Sequence, residues 1–336
     1  MAFESMPMLP GDAHDAARRF AEASAQKLAP LHEPASRAVE LSTQWSALLD
    51  LGWAGMLVVE ECGGAGGTLL DLAALAEGAG SAALPLPLAG TCAVVPTLLA
   101  GHDALLADLI AGRLRPCVVL ANGITVEAGR LTGQVLGVET PPAPSHALVA
   151  VAGALYLMDL AGAGVGFARH ERIDGRLTLD LQLQGVAATL LVAEARVRID
   201  RARDLGALLT CVEAVAAMGT LIQQTIGYLL QRQQFGAPLA SFQALRHRVA
   251  EMYVAYRNLT GLVQAALAEP DWQNIAFAKL RLGEAGRFVA EQAIQVHGGM
   301  GMTEELPATR LARRILMAEF EWGDRHLQAA RLLAAA

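Results

Sequence analysis

The chain of 336 residues carries 26 Lys+Arg against 33 Asp+Glu, a formal net charge of −7, which excludes the clustered positive charge that a nucleic-acid grip needs. At 54% hydrophobic, 5% aromatic and 18% charged it is too apolar for disorder and can bury one large core or two to three smaller ones. The longest uncharged stretch, Gly78 to His102, is broken by Pro85, Pro87 and Pro96 and does not read as a membrane span.

The opening MAFESMPMLPGDAHD has early acids and no basic region, so it is not read as a signal peptide. The spacing predicts helices from His14 to Leu28 and from Val39 to Leu51, then an apolar link at Trp53, Met56 and Leu57. The run Glu60-Glu61-Cys62-Gly63-Gly64-Ala65-Gly66-Gly67 reads as a loop. A helix from Thr68 to Gly80 follows, with Thr68 placed to cap it. Four scattered cysteines, Cys62, Cys92, Cys117 and Cys211, offer no paired spacing for a metal or a disulfide framework. They read as reduced thiols of a cytoplasmic protein.

From Arg115 to Ile199 the pattern turns to short β-rich runs: Cys117–Leu120, Leu148–Val151, Ala154–Met158 and Thr189–Val192. Gly153 sits between two of them as a hairpin turn. This region reads as a small antiparallel sheet or barrel. Helical spacing returns after Asp200, with Leu208, Val212, Val215, Gly219, Ile222, Ile226 and Leu229 along one stripe of a helix apolar on most faces. Phe242, Leu245, Val249 and Met252 mark a second helix, with Ser241 placed to cap it. Trp272 to Val296 is a third, and Pro307 opens a fourth that runs to about Phe320. The expected division is 1–112 helical, 113–200 β and 201–336 a four-helix bundle, an α+β multidomain chain.

Two segments carry chemistry. Arg232-Gln233-Gln234-Phe235-Gly236 ends the long apolar helix, and Phe242-Gln243 follows. A guanidinium there can stay solvated, bond the last carbonyls, or present its fork to a phosphate. In Gln295-Val296-His297-Gly298-Gly299-Met300-Gly301-Met302-Thr303 the glycines let the backbone approach a ligand and expose its N–H groups. Thr303 or Glu304 is placed to cap the helix that Pro307 begins.

Together these segments resemble the acyl-CoA dehydrogenase family, whose bundle carries Arg-x-x-Phe-Gly-x-x-x-x-x-x-Gln and, further on, Gln-x-x-Gly-Gly-x-Gly. The stretch Leu51-Gly52-Trp53 with Glu60-Glu61-Cys62-Gly63-Gly64 is similar to the family's N-terminal domain, as is Ala83-Leu84-Pro85-Leu86-Pro87. The resemblance implies the fold of helices, small β-domain and four-helix bundle, with FAD as cofactor. It places Arg232 on the FAD pyrophosphate across a subunit interface, with Phe235 and Gln243 at the adenosine end. Gln295, Gly298 and Gly299 would hold the dinucleotide from the neighbouring subunit, backbone to phosphate, with Thr303 and Glu304 near the adenine or pyrophosphate.

The reaction implied is α,β-dehydrogenation of an acyl-CoA thioester, of fatty-acid, branched or steroid-side-chain type. A carboxylate takes the α-proton, the flavin takes a hydride, and electrons pass to an electron-transfer flavoprotein. The family's base slot, just before a glycine, falls on Trp322 ahead of Gly323. Glu321 is one residue earlier and is the candidate base. The alternative slot at the start of the long helix falls on Gly206, and the substrate arginine after it on Ala207, with Asp204 two residues away. The family's Thr-Glu-Pro…Gly-Ser-Asp loop is missing from the β-domain, leaving Asn122 as the residue placed to reach the flavin. The resemblance therefore implies a homodimer or homotetramer, or alternatively a non-catalytic, FAD-sharing subunit in a heterotetramer with a second acyl-CoA dehydrogenase subunit. A third reading, other flavin chemistry such as nitroalkane oxidation, would use Asp324 or Asp204 as base.

Overall fold

A computed structural model describes residues 5–120 and 122–335; residues 1–4 of the opening segment, and Ala121 beside Asn122, lie outside the described residues. The helices are α1 (Asp12–Leu28), α2 (Pro34–Asp50), α3 (Leu69–Gly80), α4 (Val95–Leu98), α5 (Asp103–Ile110), α6 (Arg196–Gln231), α7 (Gln243–Ala268), α8 (Trp272–His297), α9 (Pro307–Ala318) and α10 (Arg325–Ala334). The strands are β1 (Pro116–Val119), β2 (Ile124–Glu127), β3 (Arg130–Glu139), β4 (His146–Val151), β5 (Ala154–Asp159), β6 (Val165–Glu171), β7 (Leu177–Ala187) and β8 (Thr189–Val192), with a two-stranded hairpin of β9 (Gln233–Gln234) and β10 (Ala237–Pro238). Helices, strands, then helices is the order that the sequence predicts.

The chain forms two compact units. One gathers the residues up to Pro30, Ala73–Leu84 and everything from Ala207 onwards. The other holds Leu31–Leu72 and Pro85–Gly206. Compactness thus groups the N-terminal helices differently from their order in the chain. In the first unit glycines set the close helix approaches: a Cβ on Gly78 would stand 2.2 Å from the His14 carbonyl of α1, and one on Gly80 would stand 2.3 Å from the Glu213 carbonyl of α6. Glu77, buried between them, accepts hydrogen bonds from the Met8 and Leu9 amides at 2.5 and 2.8 Å. Burial pushes its carboxyl above the usual range, against the pull of those two amides.

In the second unit the strands make two four-stranded sheets, β1-β4-β5-β8 and β2-β3-β7-β6. Leu131, Val135, Leu179 and Leu181 of one sheet and Cys117, Val119, Val149 and Met158 of the other share one apolar core. The β4–β5 hairpin turns at Ala152 and Gly153, both with positive φ. One detail departs from the expected antiparallel sheet: β1 pairs with β4 in parallel, Pro116 opposite His146. Strands β2, β3, β6 and β7 are also additions; β6 is exposed along nearly its whole length, and β7 alternates leucine with polar residues, so neither carries a continuous apolar run.

Local capping follows the expected pattern at one helix and departs at two. Thr68 Oγ1 accepts from the Asp71 amide at 3.3 Å while the Asp71 carboxylate accepts from the Thr68 amide at 2.8 Å, a reciprocal capping pair for α3. Ser241 does not cap α7; its hydroxyl donates to the Pro238 carbonyl at 2.7 Å and Phe242 takes the cap position. Nor do Thr303 or Glu304 cap α9, which starts from Leu306. The fourth helix stops at Ala318, and α10, unanticipated from the sequence, begins after Asp324, whose carboxylate caps it through the Leu327 amide at 2.9 Å. Helix α6 is long and apolar enough to cross a membrane by composition, but 94% of its most apolar window is buried in the protein.

Candidate functional site

The two chemistry-bearing segments meet at one end of the helical unit. Tyr228, in the last turn of α6, stacks on His297, the last residue of α8, with ring centroids 4.6 Å apart, and its hydroxyl donates to the His297 carbonyl at 3.5 Å. Arg232 follows Tyr228 by one turn, and Gly298 follows His297 directly. His297 itself is anchored, its Nδ1 2.9 Å from the Ala293 carbonyl, and burial lowers its basicity. The contact brings the C-terminal ends of α6 and α8 together within one chain, and the Arg232 and Gly298 segments leave from those ends.

Beyond Arg232 the chain folds back through the β9–β10 hairpin, closed by the Leu239 amide on the Arg232 carbonyl at 2.8 Å. The turn needs positive φ at Phe235 (55°) and Gly236 (78°). Phe235 is 88% exposed, and its ring meets only the edge of Phe242, 6.0 Å away. The Arg232 guanidinium is exposed and meets no partner among the described residues. Gln243 is exposed at the start of α7, its Nε2 3.4 Å from His247 Nε2.

In the glycine segment the three glycines divide the work. Gly298 has φ +60°, and a Cβ at Gly298 or Gly299 would meet nothing within 4 Å, so both leave open space beside the backbone; the Gly298 amide itself closes α8 on the Gln295 carbonyl. Gly301 is buried, and a Cβ there would stand 2.6 Å from the Ile294 carbonyl, so this glycine serves packing. Gln295 lies exposed on the last turn of α8. Thr303 donates to the Met300 carbonyl at 3.0 Å, and Glu304 is paired with Arg313 at 2.7 Å. Beyond the C-terminal ends of α6 and α8, a guanidinium with no side-chain partner among the described residues, an exposed carboxamide and two glycines in open surroundings supply the cation and donors that a diphosphate takes, so the residues present fit FAD's pyrophosphate. Asn122 lies in the other unit, exposed in the bend between β1 and β2.

Glu321 sits elsewhere in the helical unit and is only 7% exposed. Both its oxygens are taken by Arg314, Nη1 to Oε1 and Nη2 to Oε2, each at 2.6 Å. Thr210 of α6 adds a contact at 3.5 Å. The same guanidinium also bonds Glu213 of α6 at 3.0 Å. The next residue, Trp322, has φ +56°, and Gly323 has φ +104°. Asp204 is buried near the start of α6, and Asp324 is committed to the cap of α10. Sequence reasoning missed Arg314, Glu213 and Lys279. The available signal was a charge standing at a core position of an apolar helix, as Glu213 does within α6.

Comparison with known proteins agrees with this architecture. The family model "Acyl-CoA dehydrogenase, N-terminal domain" matches residues 12–111, and "Acyl-CoA dehydrogenase, C-terminal domain" matches 197–336. The chain is 31% identical over 265 residues to acyl-CoA dehydrogenase IpdE2 of Mycolicibacterium smegmatis, covering 78% of this chain and 77% of that one. It is 30% identical over 283 residues to acyl-CoA dehydrogenase FadE34 of Mycobacterium tuberculosis, covering 80% of this chain and 38% of the relative. Among solved structures it resembles the Tcur3481–Tcur3483 steroid ACAD, at 24% identity and a TM-score of 0.84 over 96% of each chain. It also resembles the ChsE4–ChsE5 complex of Mycobacterium tuberculosis, at 22% identity and 0.78 over 98% of this chain and 100% of that one. With both motifs in order, both terminal domains matched and a relative similar over most of its length, the chain belongs to the acyl-CoA dehydrogenase family, whose members are FAD-dependent flavoproteins.

Proposed function

We propose that the chain serves the flavin-dependent α,β-dehydrogenation of an acyl-CoA thioester as one subunit of a cytoplasmic dimer or tetramer, passing electrons to an electron-transfer flavoprotein. The observation that supports this reading is the Tyr228–His297 contact at the C-terminal ends of α6 and α8, from which the Arg232 and Gly298–Gly299 segments leave. Arg232 would grip the pyrophosphate across a subunit interface, Gln295 and the open Gly298–Gly299 backbone of the neighbouring subunit would hold the dinucleotide with the Gly299 amide as donor, and Phe235 with Gln243 would cover the adenosine end. FAD, when bound, supplies the hydride acceptor. The steroid and heteromeric assignments of the two structural relatives favour a bulky acyl group and a mixed assembly.

A second reading concerns the base. As proton acceptor, Glu321 would have to give up one of two charge-assisted bonds to Arg314 on each turnover. That bidentate pair favours a chain that contributes its diphosphate-binding end to a heterotetramer, while a second acyl-CoA dehydrogenase subunit supplies the base. A visible spectrum separates the two. Protein purified alone that is yellow and bleaches on addition of an acyl-CoA supports Glu321, and Glu321→Gln should then keep the colour and abolish turnover. Protein that gains flavin and bleaching only when co-expressed with a second dehydrogenase subunit supports the heteromer. A colourless protein under both conditions would refute the flavin assignment itself.

A further inference from the structure

The residues that close α9 and lead into α10 form a turn under unusual constraint. Helix α9 ends at Glu319 in right-handed geometry, without the glycine that commonly closes a helix. Its last carbonyls need donors. Lys279 of α8, 1% exposed, supplies them: its ammonium donates to the Ala318 carbonyl and, at 3.0 Å, to the Glu319 carbonyl. Two residues on, Arg314 takes Glu321 in a fork. The Glu319 side chain, itself buried, is held by Arg325 at 3.1 Å and Arg287 at 3.5 Å. Between these anchors Trp322 adopts φ +56°. A bulky side chain in the left-handed region costs about 1–2 kcal/mol and persists only where its surroundings over-determine it.

A buried lysine is an expensive way to close a helix. Burial alone disfavours its charge, and a methionine would fill the same space without that penalty. What the ammonium adds is a cation at the negative end of α9 whose three donors reach two consecutive carbonyls. The groups facing it are Cys211 on α6, Glu321 in the turn, and Arg314 and Glu319 on and just after α9. Glu213, Glu321, Arg314 and Lys279 tie α6, α8 and α9 to the turn.

We propose that Lys279 is the positioning residue of the turn from Glu319 to Gly323: acting with Arg314, it holds Trp322 in its left-handed conformation. On the reading given above, the turn is the one where the family's order places its catalytic carboxylate, so Lys279 sets the geometry of that position from behind. Removing the ammonium lets the turn relax towards right-handed φ at Trp322 without unfolding the bundle.

The test is 19F NMR of the full chain labelled with 5-fluorotryptophan, which has four tryptophans; the Trp322 resonance is identified by its loss in Trp322→Phe. In Lys279→Met the Trp322 resonance is expected to shift or broaden while those of Trp45, Trp53 and Trp272 stay in place. General loosening would move several resonances together, and an unmoved Trp322 resonance in the folded variant overturns the proposal. Should Lys279→Met fail to fold, Lys279→Gln retains a donor for one carbonyl. Burial lowers the Lys279 ammonium to about 8, so the wild-type Trp322 resonance is expected to move as pH rises through that value and to be flat in Lys279→Gln; a flat wild-type trace overturns the proposal. Bleaching by acyl-CoA, measured on the wild type, reports the functional reading separately. A protein that never bleaches but whose Trp322 follows Lys279 keeps the positioning role and loses only the link to catalysis.

Discussion

Arg232, just past the end of α6, and Arg314, within α9, are both arginines, yet their surroundings assign them opposite work. Arg232 is exposed with no side-chain partner among the described residues, so its fork is free for a ligand. Arg232→Ala is expected to weaken FAD binding by about tenfold to a hundredfold, the worth of one charge-assisted phosphate contact, as read by flavin retained after gel filtration; equal retention would remove Arg232 from the site. Arg314 is 1% exposed between two carboxylates. Arg314→Met leaves both buried and uncompensated and should cost about 3–5 kcal/mol in urea denaturation, most of it recovered when Glu213→Gln and Glu321→Gln are added. Lys279 gives the pH dependence. Its native value of about 8 lies below the ordinary 10.5, so between those values the unfolded chain binds more protons than the native one. Stability from this group therefore rises with pH across that window, by about 3 kcal/mol in total, and Lys279→Met should flatten the slope. The sequence exposes these residues unequally. Arg232, Gln295, Gly298 and Gly299 could be located because their motifs are local. The Glu213–Arg314 pair could not, because its partners stand 101 residues apart in the chain and no spacing rule links them.

At the scale of the element, α8 and α9 were legible to within about two residues because their apolar spacing is regular, whereas the start of α6 at Arg196 and the end of α7 at Ala268 were not. Caps were legible only where the partner lies within one turn. Thr68 and Asp71 are three residues apart, and the reciprocal pair forms; Ser241 had the right neighbours too, but the nearer Pro238 carbonyl took its hydroxyl. Helix α10 escaped notice because Arg325–Ala334 is short and follows α9 after a turn whose strained Trp322 gives no sequence signal. The α1–α3 crossing supplies an element-scale prediction. Gly78→Ala should raise intrinsic helix propensity by about 1 kcal/mol, yet the added methyl would stand 2.2 Å from the His14 carbonyl. The backbone cannot yield as a side chain would, so a net loss of about 1–3 kcal/mol is expected, measured as a lower urea midpoint with unchanged m-value.

At the scale of the whole molecule, the order of helices, strands and helices was readable from changes in hydrophobic period, whereas the regrouping of the first helices with the last was not. That regrouping depends on glycine contacts such as Gly80 against Glu213, which no local pattern encodes. On the proposed sharing of the diphosphate between Arg232 of one chain and the glycine segment of a neighbouring one, flavin retention follows assembly. Serial dilution monitored by flavin fluorescence and light scattering should release flavin and dissociate subunits over the same concentration range; release without dissociation would mean each chain holds its cofactor alone.

Helix α6 has one more consequence, and it falls on biosynthesis. Its composition would satisfy a translocon, yet residues that later bond to it inside the bundle, His297, Arg314 and Glu321, are all synthesised after it. About a hundred further residues must leave the ribosome before that shelter is complete, roughly 5–20 seconds at ordinary elongation rates. During that interval the nascent chain displays a lipid-like rod to the cytosol. Ribosome-bound chains stalled just past Gln231 should recruit trigger-factor-type chaperones or membrane-targeting machinery far more strongly than chains stalled after α10.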